Sequence, residues 1–131
     1  MTLTQSEKAD RFRALHQGTG AFVIPNPWDA GSARILAGLG FQALATSSGA
    51  FAGTLGRRDG KVRREEALAH ARAVVAAVDL PVSADLENGF GHAPAFTAET
   101  VRLAAGAGLV GCSIIRSIRR IRAAEAAELS R

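Results

Sequence analysis

The chain has 131 residues and a formal net charge of +4, and 47% of its residues are hydrophobic against 21% charged. This length and composition predict a single globular domain. No apolar run is long enough to cross a bilayer, and we expect no secretory leader, because the N-terminus lacks a basic stretch followed by an apolar one. The single cysteine excludes an internal disulfide, so we expect a cytoplasmic protein without a membrane partner.

The excess positive charge is concentrated at the C-terminus, which argues against a nucleic-acid-binding protein. Residues 1–114 contain 11 Lys and Arg and 10 Asp and Glu, a net charge of +1, whereas residues 115–131 contain five Arg and two Glu, a net charge of +3. The chain also has no tyrosine and few aromatic side chains on which bases could stack. We therefore expect no nucleic-acid partner.

The first half of the sequence predicts four elements in the order helix, strand, helix and strand. Their ranges are 6–16, 21–24, 30–38 and 41–45. The first helix has apolar residues at helical spacing and a glycine stop at Gly18, and Asp29 is placed to cap the second helix. Pro25 and Pro27 close the first strand, and the second strand leads into a loop at residues 46–49.

The second half continues the alternation after an irregular, glycine-containing stretch at residues 50–63. It predicts a helix, a strand, a helix and a strand over residues 64–78, 82–85, 97–105 and 109–114. Strands that alternate with helices of this length form parallel sheets through right-handed connections. The sequence therefore predicts an α/β fold.

Residues 106–111 match the G-x-G-x-x-G pattern of dinucleotide-binding turns. That pattern needs a strand before it and a helix after it, so that the pyrophosphate meets a helix N-terminus. The predicted order here is the reverse. We therefore interpret the first of these glycines as the end of a helix.

Polar residues follow three of the predicted strands, at Asn26, at residues 47–49, and at Asp85 with Glu87. In parallel α/β folds the C-terminal ends of the strands lie on one side of the sheet, so we expect these residues to share a site. Residues at i and i+2 of an extended segment point the same way, so the two carboxylates should converge. Such a pair suits Mg²⁺, although a polar strand end that only caps a loop has the same pattern.

Four segments together resemble the isocitrate lyase / phosphoenolpyruvate mutase superfamily. They are residues 25–33 (PNPWDAGSA), 46–49 (TSSG), 56–60 (GRRDG) and 84–91 (ADLENGFG). They come in the order and spacing of that superfamily, and the similarity covers residues 6–114. The resemblance implies the N-terminal half of a (β/α)₈ TIM barrel. It also implies a Mg²⁺-dependent lyase or mutase that acts on C–C or P–C bonds beside the carboxylate of a 2-oxo acid.

The resemblance further implies roles for the metal and substrate residues. Asp85 corresponds to a direct Mg²⁺ ligand, and Glu87 to a carboxylate that reaches the metal through water. Ser47, together with Ser48 and Gly49, corresponds to the loop that binds the oxygens of a small 2-oxo acid or dicarboxylate, unless these residues form a plain turn.

Asp59 corresponds to a catalytic acidic residue near the reacting centre, or else it caps a loop. His92 follows the glycine loop and His70 lies in a charged helix, and we interpret both as surface residues.

The resemblance ends after Ile114. The superfamily continues with a Glu-Asp pair whose Glu is a further metal-site carboxylate, whereas this chain has Ile115 and Arg116. We therefore expect a partial barrel domain at residues 1–114 and a divergent basic tail at residues 115–131, either helical or translated out of frame. The expected protein is truncated and inactive alone. The alternative is a non-catalytic half-barrel module that forms a homo-oligomer and binds a small dicarboxylate.

Overall fold

The computed structural model describes residues 2–115. Residues 116–131 of the predicted basic tail lie outside this range. The described residues form eight elements in this order: α1 (Gln5–Gln17), α2 (Ala30–Gly38), β1 (Leu44–Ala45), α3 (Ser48–Thr54), α4 (Arg64–Ala77), β2 (Val82–Asp85), α5 (Pro94–Gly106) and β3 (Gly111–Ser113). Within residues 2–115, no helix is long and apolar enough to cross a membrane.

The three strands form one parallel sheet in the order β1-β2-β3. Val82 pairs with Leu44 of β1, and Asp85 pairs with Ser113 of β3. Helices between successive strands bury their apolar faces against this sheet. The core consists of Ala33, Leu44, Leu68, Ala71, Val74, Val82, Ala84, Leu86, Ala104 and Leu109. The predicted α/β architecture with parallel strands is confirmed.

Local capping chemistry sets the ends of the first two helices. Asp29 Oδ1 accepts a hydrogen bond of 2.7 Å from the Ser32 N–H, which satisfies one unpaired donor of the first turn of α2, as predicted. Thr4 and Glu7 form a capping box at the start of α1, and Gly18 ends that helix as predicted. The reversed glycine pattern is also confirmed, because α5 ends at Gly106 and a strand follows.

Two sequence predictions of local structure are wrong. Residues 21–24 do not form a strand; the chain meets the sheet just after them, where the Pro25 carbonyl accepts from the Ala45 N–H at 3.1 Å and Asn26 Nδ2 donates to the Ala45 carbonyl at 2.9 Å. Proline lacks an N–H, so Pro25 and Pro27 cannot extend a ladder beyond the bond at Pro25. The stretch predicted as a loop and irregular chain instead contains α3, which begins at Ser48.

Helix α1 closes the N-terminal end of the sheet. Gln5 Nε2 donates hydrogen bonds of 2.9 Å to the carbonyls of Ala105, near the end of α5, and of Leu109, in the connection that enters β3. Lys8 is 7% exposed, and its Nζ lies 3.2 Å from Asp79 Oδ1 in the connection that enters β2. These contacts leave the opposite end of the sheet, where the strands finish, open to ligands.

The loop between α3 and α4 is held by Glu66 in the first turn of α4. Arg57 Nη1 donates to both Glu66 oxygens, at 3.0 and 2.9 Å, and the Arg63 N–H donates to Oε2 at 3.0 Å. The Arg63 N–H bond, followed by those from the guanidinium groups, lowers the pKa of Glu66 to about 2. A depressed carboxyl pKa stabilises the folded state above the unfolded pKa, and this stabilisation is lost as the pH falls through the folded pKa.

We expect Glu66→Gln to lower the free energy of unfolding at neutral pH and to flatten its decline between pH 4.5 and about 2. Urea denaturation at a series of pH values measures both effects. Glu65→Gln, in the same turn but 73% exposed at its side chain, is the matched control and should keep the wild-type slope. Equal slopes for Glu66→Gln and the wild type would contradict the prediction.

Candidate functional site

Asp85 lies at the C-terminal end of β2 and is bound by both neighbouring segments. Its Oδ2 accepts from the Ser48 N–H at 3.2 Å and from the Ser48 hydroxyl at 2.7 Å. Its Oδ1 accepts from the Glu87 N–H at 3.0 Å. A carboxylate offers about four acceptor positions, so these three donors leave one on Oδ1 for a ligand. The contacts fix the orientation of the carboxylate and do not occupy all of its acceptor positions.

Glu87 lies beside Asp85, but not for the reason predicted. The strand ends at Asp85, Leu86 turns into the core, and Glu87 has a left-handed backbone with φ +51°. The extended i, i+2 geometry therefore does not apply. A residue other than glycine in this region costs about 1–3 kcal/mol, a strain that surrounding contacts must offset.

Three carboxylates gather at this end of the sheet. Burial raises the pKa of Glu87 above its ordinary value, and the negative charges of Asp59 and Asp85 raise it further. Asp59 is exposed and lies over Gly49, where a Cβ on that glycine would be 3.7 Å from the carboxyl carbon. Asp59 also accepts from the Gly60 N–H at 3.0 Å, so it caps its own loop as well as facing the site.

The predicted substrate loop is the start of helix α3. Ser47 is its N-cap, and the hydroxyl oxygen accepts from the Ala50 N–H at 3.3 Å. Ser48 directs its N–H and hydroxyl to Asp85 rather than toward open space. Gly49 follows in the first turn, next to Asp59. The structure therefore brings Ser48 and Gly49 to the carboxylates and uses Ser47 to start the helix.

These groups surround an open cleft of about 800 Å³, within the range of small-molecule sites. The lining residues are Ser48, Asp59, Gly60, Val62, Asp85, Glu87, Asn88, Phe90, Gly91, His92 and Ile115. Ser47, among the described residues, is not part of this lining. The predicted Asp59, Ser48, Asp85 and Glu87 thus share one cleft, and its walls are both polar and apolar.

The sequence places His92 correctly and His70 incorrectly. His92 is exposed, as interpreted from the sequence, but it also lines the cleft. His70 is half-buried rather than on the surface: its ring stacks on Phe51 at 3.9 Å, and its Nε2 lies 2.8 Å from the Trp28 carbonyl. The signal for His70 is tertiary, because α3 supplies the ring that covers it. No spacing along α4 indicates this contact.

The acidic groups fit Mg²⁺ by their chemistry. Within residues 2–115, no three His, Cys, Asp or Glu side chains are arranged to enclose a metal by themselves. Mg²⁺ requires less, since it binds through one or two carboxylates and retains several waters. A cation here would offset the repulsion that raises the pKa of Glu87. Asp85 and Glu87 are therefore the residues that would hold it.

A parallel sheet with carboxylates at the C-terminal ends of its strands is typical of α/β folds, which place their sites at that end. Residues 12–128 match the profile of a family described as phosphoenolpyruvate phosphomutase, and the chain belongs to that family. The family lies in the isocitrate lyase / phosphoenolpyruvate mutase superfamily of lyases and mutases that act on carboxylates, which confirms the resemblance. The matched range continues past Ile114, where the motif resemblance ends.

Individual relatives agree with this assignment. A 2-methylisocitrate lyase of Halalkalibacterium halodurans is 38% identical over 89 residues, 67% of this chain and 30% of the relative. A Burkholderia cenocepacia J2315 crystal structure, named as that of a candidate lyase/mutase, is 59% identical with a TM-score of 0.83. The matched region covers 84% of this chain and 40% of the Burkholderia chain. An oxaloacetate acetylhydrolase bound to its product oxalate is 26% identical with a TM-score of 0.74, covering 82% and 38%.

The chain spans 30% of the length of the 2-methylisocitrate lyase and 38–40% of the two solved structures. The structural neighbours are TIM barrels of this superfamily, so the predicted fold class, a part of such a barrel, is confirmed.

We expect Asp59→Asn to lower the pKa of Glu87, because it removes one of the two negative charges that raise it. A ¹³C NMR titration of the Glu87 carboxyl in buffer with EDTA measures the shift. Asp10→Asn, which removes an exposed carboxylate paired with Arg13 on α1, is the control and should leave the Glu87 titration unchanged. A Glu87 pKa unaffected by Asp59→Asn would show that the two groups do not interact.

Proposed function

We propose that residues 2–115 carry the first part of the site of a Mg²⁺-dependent lyase or mutase, which binds a small 2-oxo acid or dicarboxylate. The observation that carries this proposal is the fixed Asp85 carboxylate at the end of β2, with an acceptor position left toward a cleft that also contains Glu87 and Asp59. The family and the oxalate-bound relative support an oxygen-rich anionic ligand.

Each residue has a distinct part in this proposal. Asp85 and Glu87 would hold Mg²⁺, and the bound ion would act as a Lewis acid toward the carboxylate and oxo oxygens of the ligand. Ser48 orients Asp85 through two hydrogen bonds. Gly49, in the first turn of α3, lies next to Asp59. Glu87, whose pKa is raised, retains a proton on its carboxylate to a higher pH than an exposed glutamate does.

Metal binding is the first test. We expect calorimetry on the purified chain to detect Mg²⁺ binding, and oxalate to bind more tightly with Mg²⁺ present than with EDTA. Asp85→Asn should weaken Mg²⁺ binding at least tenfold, roughly 1.4 kcal/mol. Asp10→Asn removes the same charge from an exposed position on α1 and should bind as the wild type does. A wild-type chain that binds neither Mg²⁺ nor oxalate would contradict the proposed function.

We further propose that this chain binds its ligand without turning it over. Ile115 lines the cleft, and its N–H donates to the Glu87 carbonyl at 2.6 Å. The superfamily resemblance implies a carboxylate two residues beyond the end of β3, where this chain has the apolar Ile115. Loss of a charged group at a reacting centre costs factors of roughly 10² or more in rate. Mg²⁺-dependent cleavage of 2-methylisocitrate or oxaloacetate by the chain would contradict this.

We expect Ile115→Glu to tighten Mg²⁺ binding by roughly tenfold, about 1.4 kcal/mol, because it adds a carboxylate beside Glu87. Calorimetry in the same buffer measures the change, and Ile115→Gln, of similar size but uncharged, is the control. Equal affinities for the two variants would mean that this position does not face the metal. Sedimentation velocity on these samples tests the alternative function, since a homodimer that binds oxalate without turnover favours the non-catalytic module.

A further inference from the structure

Glu87 occupies the second position of a tight turn that normally requires glycine. The Gly89 N–H donates to the Leu86 carbonyl at 2.8 Å, so residues 86–89 form a β-turn. Glu87 has φ +51° at the position where turns of the primed types place glycine. The turn therefore does not hold itself by local preference, and contacts with other elements must maintain it.

The Glu87 N–H donates to Asp85, and the Glu87 carbonyl accepts from the Ile115 N–H. One end of the turn is also held by burial and the other by helix α5. Leu86 is 1% exposed and is part of the core. Gly89 lies so close to α5 that a Cβ there would come within 2.7 Å of the Thr97 side chain. Gly91 is similarly close to the Phe96 ring, at 2.5 Å from a Cβ to Cδ1. The backbone of this loop therefore rests directly on the helix.

Thr100 provides the polar contact between helix and loop. It is 0% exposed, and its hydroxyl lies 2.9 Å from the Gly89 carbonyl and 3.1 Å from the Phe96 carbonyl. A threonine inside a helix normally directs its single hydroxyl proton to the carbonyl four residues before it, here that of Phe96. Here the hydroxyl is also within donating distance of the Gly89 carbonyl, in the loop.

Arg64 supports this contact from helix α4. Its Nη1 lies 3.4 Å from the Thr100 hydroxyl oxygen, where it donates to a lone pair, and its guanidinium carbon lies 4.2 Å above the centre of the Phe96 ring. A donor on the oxygen leaves the hydroxyl proton directed away from Arg64 and toward a carbonyl. Arg64 thus fixes the ring that touches Gly91 and the hydroxyl that touches Gly89.

We propose that Thr100, supported by Arg64, is a positioning residue that holds Glu87 in its left-handed conformation and thereby directs its carboxylate into the cleft. The effect on metal binding rests on the proposed function, whereas the effect on the Glu87 backbone does not. Thr100 touches neither ligand nor metal and acts only through the carbonyl of Gly89.

The test compares Thr100→Val, which keeps the shape but removes the hydroxyl, with Thr100→Ser, which retains the donor. We expect Thr100→Val to shift the backbone ¹³Cα and ¹³C′ resonances of Glu87 away from left-handed values and to weaken Mg²⁺ binding about tenfold. Thr100→Ser should leave the Glu87 resonances at their wild-type positions and the Mg²⁺ affinity within twofold of the wild type. Thr54→Val is the matched control, because Thr54 is exposed and its hydroxyl donates to the Phe51 carbonyl of its own helix.

A folded Thr100→Val chain with wild-type Glu87 shifts would overturn the proposal. If the wild type fails to bind Mg²⁺, the proposed function fails, but the Glu87 shifts still decide the role of Thr100. If Thr100→Val does not fold, Thr100→Val combined with Glu87→Gly decides instead. Glycine adopts the left-handed turn without strain, so recovered thermal stability supports the role in the turn. If the double variant does not recover thermal stability, Thr100 acts only in core packing and the proposal is contradicted.

Discussion

The hydrogen bonds that Asp85 accepts connect the parts of the site. One carboxylate receives two donors from Ser48, at the start of α3, and one from Glu87, beyond the end of β2. Charge-assisted bonds of this kind are stronger than neutral ones, and both segments depend on the same ionised side chain. Without it, the N-terminus of α3 and the turn at Glu87 would lose their common acceptor. The cleft is therefore organised around one negative charge rather than around a rigid loop.

The gathering of negative charge is the feature of the cleft that suits a positive partner. Asp59, Asp85 and Glu87 come from three separate parts of the chain, and repulsion among them, added to burial, raises the pKa of Glu87. Repulsion of this kind is tolerated at sites where a ligand later compensates for it. Ile115 lines the same cleft and adds apolar surface to it.

The sequence predicts the features that depend on local chemistry. The cap at Asp29, the stop at Gly18 and the strand at residues 82–85 all follow from nearby residues, and the structure contains each of them. Glu87 is placed correctly beside Asp85, but the extended geometry used to predict it is wrong, since a turn that is bonded to Asp85 and packed on α5 produces the proximity. Residues 21–24 are predicted as a strand from their apolar side chains and do not form one. An apolar run gives no information about whether a neighbouring strand offers matching hydrogen-bond donors. Tertiary contacts decide both cases.

The attachment of α1 has a consequence for the order in which the chain acquires structure. The hydrogen bond from Gln5 to Leu109 joins residues 104 positions apart, and Lys8 reaches Val78 across 70 positions. Contacts of such long range form slowly, because the intervening chain must first be brought together. During synthesis, the first helix emerges long before the residues that receive it. The N-terminal end of the growing sheet therefore stays uncovered until β3 is made, and the earliest element of the chain is among the last to dock.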